Sequence, residues 1–201
     1  MGLKEQQAAL AKLYTSNSLR EQLANSALRQ EASLGLSQAE QLKLKSIVKG
    51  DVTAFALSLL RKRLAQVKKI LPGTCALLAE NLSNLFQTFA VDKPTTGVKR
   101  HLIDARNFAN YLVENKTNEI FALNEHKAVL EYEKTWINSE LSPLHLKVKC
   151  FRHDISNYTT QLEKRVTNRA YSGKPRVCLW FRLSSRHRVF YWELFPRFWP
   201  K

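Results

Sequence analysis

The period of the apolar residues changes once along this chain, and the change constrains what it can fold into. Up to residue 138 hydrophobic side chains recur every three to four positions. The run Phe55, Leu59, Leu60, Leu64, Val67, Ile70 and Leu71 traces one stripe of an amphipathic helix. After Pro143 the period becomes two. Leu144-His145-Leu146-Lys147-Val148-Lys149-Cys150 alternates strictly, as a half-buried strand does. The expected fold is therefore α+β and mainly α. Six to seven helices form a bundle over residues 1–140, and 141–201 form a small antiparallel β segment of about three strands.

Local signals punctuate the helical part. A first helix is expected over 3–14, from Leu3, Leu10, Leu13 and Tyr14. Ser18-Leu19-Arg20-Glu21 and Ser37-Gln38-Ala39-Glu40 read as capping boxes, with Asn17 as another cap for the first of them. The helix begun at Ser37 continues to Gly50. Asp51 then reads as the N-cap of the longest helix in this half, which Pro72-Gly73 stops. Thr74 to Ala90 is predicted as one buried helix, 92–97 as a loop, and 98–114 and 118–138 as further helices.

In the β segment, Val177–Leu183 is predicted as the second strand and Arg188–Phe195 as the third, joined by the turn Ser184–His187. A short helix capped by Asp154 lies between the first and second strands. The alternation places Val177, Leu179, Phe181 and Leu183 toward the core. Arg176, Cys178, Trp180 and Arg182 then face outward or toward the hairpin partner.

Composition removes several function classes. The 201 residues are 44% hydrophobic and 24% charged, which suits a folded domain. Three cysteines, Cys75, Cys150 and Cys178, make no disulfide framework and no CxxC pair. The start has no apolar signal core, and no apolar run reaches the ~18–20 residues of a membrane span, so the cytoplasm is the expected compartment. No histidine spacing, GxSxG elbow, GxGxxG or Walker A run is present. Cys150, His153 and Asp154 read as a surface cluster rather than a metal site. Cys75 reads as core, although a helix start favours its thiolate. Glu131 and Glu133 point to different sides of a helix. The chain is thus expected to be non-enzymatic, with no catalytic residue, metal or cofactor.

Charge points to a partner. The net charge is +15, and residues 141–201 hold thirteen of the 32 Lys and Arg but three of the 17 acids. They also hold eleven of the 20 aromatics. Arginine and aromatic residues interleaved on strands suit a peptide or protein contact, in which Trp, Tyr and Arg are enriched. The candidate partner-binding residues are Arg176, Trp180, Arg182, Arg188, Tyr191 and Trp192. The alternative is nucleic acid, bound by the basic C-terminal segment together with Arg61, Lys62, Arg63, Lys68 and Lys69.

A resemblance narrows the partner class. Leu13-Tyr14-Thr15, Leu19-Arg20, Gly35-Leu36 and Glu40 are similar to the N-terminal helical pattern of borosin leader-binding domains and of methanobactin-biosynthesis partner proteins. Phe55, Ser58-Leu59-Leu60, Lys62-Arg63, Leu71-Pro72 and Phe86 resemble bacterial proteins with the same helical start, some labelled as DNA-binding. Phe151-Arg152-His153-Asp154-Ile155 and Leu179-Trp180-Phe181-Arg182 match the small β-rich module of those proteins. The resemblance implies a helical partner subunit that recognises a peptide or works beside a peptide-modifying enzyme. It transfers no catalytic residue.

Overall fold

The structure is a computed structural model and describes residues 3–25, 46, 48–114, 119–166 and 174–194. Its helices are α1 (Leu3–Thr15), α2 (Asn17–Asn25), α3 (Thr53–Ile70), α4 (Pro72–Leu78), α5 (Leu82–Ala90), α6 (Arg100–Glu114), α7 (Asn124–Leu141) and α8 (Ile155–Glu163). The strands are β1 (His145–Phe151), β2 (Arg176–Arg182) and β3 (Phe190–Leu194). The protein is mainly α with a three-stranded antiparallel sheet near its C-terminus, of order β1-β2-β3. No helix among the described residues is long and apolar enough to cross a membrane.

The chain divides into two compact units, Met1–Leu64 with Asn84–Pro94 and Ala65–Ser83 with Thr95–Lys201. The expected boundary at residue 141 therefore falls inside the second unit. The sheet does not stand apart from the helices, because α7 and α8 supply its core.

In the first unit Leu13 and Val52 are buried together, with Leu10, Tyr14, Leu19 and Leu23 against them. Here α2 starts two residues earlier than its capping box predicts. Ser16 Oγ accepts from Leu19 N–H at 3.2 Å, and Asp92 Oδ1 accepts from Asn17 N–H at 2.6 Å. A carboxylate 75 residues away thus satisfies the free donors of this helix start, a cap that no local motif records. Burial pushes the Asp92 carboxyl up, but hydrogen bonds from Ser16, Ser18 and Asn17 outweigh it and hold the group below its usual range. Asp51 does not cap α3. It lies in a π turn, Val48–Val52, that precedes the helix. The second predicted capping box lies outside the described residues.

In the second unit Val129, Tyr132, Phe151, Ile155, Tyr158, Leu162, Cys178 and Trp180 form one cluster. Pro72-Gly73 ends one helix and immediately begins another. Pro72 occupies the first position of α4, where its missing N–H costs nothing. Gly73 is needed for close approach: a Cβ there would meet Thr159 Cγ2 at 2.8 Å and Val129 Cγ1 at 2.9 Å. The helix predicted over 74–90 is broken. Ala79 takes φ +45°, and a 3-10 turn, Ala79–Asn81, separates α4 from α5. Asp154 caps α8 as expected, accepting from Asn157 N–H at 3.1 Å.

Candidate interaction surface

Register decides what the sheet presents. β1 and β2 pair His145 with Arg182, Lys147 with Trp180 and Lys149 with Cys178. β2 and β3 pair Trp180 with Tyr191 and Cys178 with Glu193. These residues share the face that packs on α7. Trp180 is fully buried, with ring centroids 5.7 Å from Tyr132, 6.2 Å from Trp136 and 5.2 Å from Tyr191.

Cys178, Trp180 and Arg182, expected to face outward or toward the hairpin partner, are buried on the side of α7, and Val177, Leu179 and Phe181, expected toward the core, lie on the other side. The physical reason is the period of two: a strand fixes which residues share a face but not which face is covered. Helix α7 offers Tyr132 and Trp136, and the large aromatic of β2 packs against them.

Arg182 is 4% exposed and serves as an internal staple. Its Nη1 donates to the carbonyls of Glu140 at 2.6 Å and Ser139 at 3.2 Å, at the end of α7. Its Nε donates to the carbonyls of Ser184 and His187, both at 3.0 Å, and its Nη2 to that of Ser185 at 2.9 Å. One guanidinium fork thus closes both a helix end and the β2–β3 hairpin loop.

Arg176 is half-buried, ion-paired to Asp154 and 3.7 Å from Glu193. Tyr191 donates to Glu193 and lies 3.3 Å from Cys178 Sγ. Burial pushes the Tyr191 hydroxyl up, and the Cys178 thiol up to about 11. Of the six candidate contact residues, only Arg188 and Trp192 are exposed.

The opposite face is apolar at every position. β1 contributes Leu146, Val148 and Cys150, β2 Val177, Leu179 and Phe181, and β3 Phe190, Trp192 and Leu194. Leu146 is 68% exposed, Val148 53%, Trp192 55% and Leu194 57%. The same register pairs Phe181 with Phe190, their rings 6.4 Å apart, and Leu179 with Trp192. A sheet with one covered side normally turns its apolar residues inward and its lysines outward. β1 does the reverse, with Lys147 and Lys149 on the side of α7 and Leu146 and Val148 in the open.

Arg61, Lys62, Lys68 and Lys69 are exposed on α3. Arg63 is engaged: it donates to the carbonyls of Ala90 at 3.4 Å and Lys93 at 3.0 Å, and it lies 5.8 Å from the Phe86 ring. Cys75 is buried, and its thiol is pushed up to about 12 by burial and by Glu133, so the favour of a helix start is overridden. Cys150 is exposed on the apolar face, while Asp154 is occupied by its cap and by Arg176. Glu131 pairs with Lys149, whereas Glu133 is 4% exposed and accepts from the N–H groups of Gly73 at 2.7 Å and Thr74 at 2.9 Å.

Residues 48–114 match the model of a family described as SCO6045-like, C-terminal domain. The match covers about a third of the chain and ends before the sheet. No curated protein matches the chain.

Proposed function

We propose that this chain is a non-enzymatic recognition protein that docks a protein or peptide partner on the outer face of its sheet. The observation that carries this reading is the unbroken apolar surface of Leu146, Val148, Leu179, Phe181, Phe190, Trp192 and Leu194 in a chain of net charge +15. Exposed apolar patches of this kind mark interaction sites on soluble proteins. The distance across three strands is about 10 Å, close to the diameter of one helix. An amphipathic segment with an apolar stripe and acidic flanks fits both the face and the charge. The sequence resemblance adds a context for that partner: a modified peptide or the enzyme that makes it. Trp192 and Arg188 stay at the surface, and the buried Trp180 and Arg182 hold the sheet to α7.

Trp192→Glu and Val148→Glu change exposed positions, so stability should move by less than about 0.5 kcal/mol. An affinity capture at moderate salt after nuclease treatment should retain a defined protein or peptide on the native chain and lose it on both variants. Retention by the variants would remove the face from consideration.

Nucleic acid is the second reading, favoured by the exposed Arg61, Lys62, Lys68 and Lys69. It predicts that binding falls steeply with salt and that nuclease abolishes the capture.

A further inference from the structure

Where α7 passes β1, on the covered side of the sheet, the two elements leave a groove of about 280 Å3. Glu131, Lys134 and Asn138 are three and four residues apart on α7 and so share one helix face. His145, Lys147 and Lys149 alternate along β1 and share one strand face. The lining thus includes three lysines, a histidine and one carboxylate, and that carboxylate, Glu131, is taken by Lys149. No described carboxylate pairs with Lys134 or Lys147. His145 Nε2 is shielded from solvent and has no hydrogen-bond partner.

Such an arrangement stores unneutralised positive charge, and an anion relieves it. The chemistry selects which anion. The guanidinium fork matches carboxylate and phosphate alike, whereas lysines act as point charges that suit a compact, highly charged phosphate, and the residues lining this groove include lysines and no arginine. The lining carries two positive charges in excess, which matches a dianion. The volume lies at the lower limit for ligand sites, ~300 Å3, which admits a phosphoryl group with few further atoms.

We infer that the groove between α7 and β1 binds a phosphate-sized dianion, the phosphoryl group of a small ligand, held by Lys134, Lys147 and Lys149 beside His145. Burial first and Lys147 second hold the free His145 below the usual histidine range, and a bound dianion reverses that direction.

The test is an NMR titration of the full chain with inorganic phosphate and, separately, with phenyl phosphate at constant ionic strength. The His145 ring signal, identified with His145→Gln, is followed through a pH series. Saturable binding of either probe that moves the His145 titration to higher pH supports the site. Binding at least tenfold tighter for the monoester assigns it to phosphorylated small molecules, and equal binding assigns it to free phosphate. Lys134→Gln with Lys147→Gln should weaken binding at least tenfold. Glu131→Gln should strengthen it several-fold by releasing Lys149, a gain that misfolding does not produce. A non-saturable response, the same shifts with chloride, or charge variants that leave the affinity unchanged overturn the proposal.

Discussion

Two side chains, Glu133 and Arg182, hold the second unit together by placing ionisable groups where water is excluded. Glu133 is the more demanding. Burial pushes its carboxyl up to about 7, and hydrogen bonds from Thr74 and Gly73 offset only part of that. In the unfolded chain the same group titrates near pH 4.3. Between these values the folded state binds more protons than the unfolded state, so stability falls as pH rises. Denaturant titrations from pH 4 to pH 8 should show a loss on the order of 3 kcal/mol across that window. Glu133→Gln should flatten the slope. Arg182 and Trp180 were read from the sequence as contact residues because arginine and tryptophan mark interfaces. The same two properties, many donors and a large apolar ring, also suit them to closing a helix end and filling a core.

At the scale of elements, helix existence was legible and helix continuity was not. The apolar stripe of α6 and the Asp154 cap stand where the sequence places them, whereas Phe55 of the α3 stripe is exposed and the helix predicted over 118–138 is split, with a 3-10 turn at Glu119–Ala122 and an exposed Leu123 before α7. The break at Ala79 has no glycine or proline to announce it, and the polar Glu80, Asn81, Ser83 and Asn84 that follow read equally as the solvated face of a continuous helix. Pro72-Gly73 illustrates the same gap. The pair reads as a stop, yet Gly73 is fixed by the approach of α4 to Val129 and Thr159, which are more than fifty residues away in sequence. Gly73→Ala should destabilise the protein by about 1–3 kcal/mol through overpacking, despite the higher helix propensity of alanine. Thermal unfolding of the single variant checks this. A gain in melting temperature would mean that the approach is looser than the geometry indicates.

The whole molecule sets a large positive charge against an uncharged, apolar sheet face. Charge repulsion opposes self-association at low ionic strength, and salt screens it over a Debye length of ~10 Å at 0.1 M. Light scattering should therefore show reversible association that increases with salt and is suppressed by Trp192→Glu. An association equal in both chains would locate the contact elsewhere.

The sequence by itself determined the fold class, the order of helices and strands, the hairpin and the excess of positive charge. Each follows from local periodicity, turn chemistry or composition. Only the tertiary structure decided which side of the sheet is covered. Alternation divides β1 into Leu146 and Val148 against Lys147 and Lys149, and β2 into Leu179 and Phe181 against Trp180 and Arg182, with equal clarity in both directions. The choice falls to α7, whose Tyr132 and Trp136 accept Trp180, and whose terminal carbonyls accept the Arg182 guanidinium. These partners lie about forty residues from β2 in sequence, so no local pattern could name them. Once that face is taken, the apolar set is left in the open.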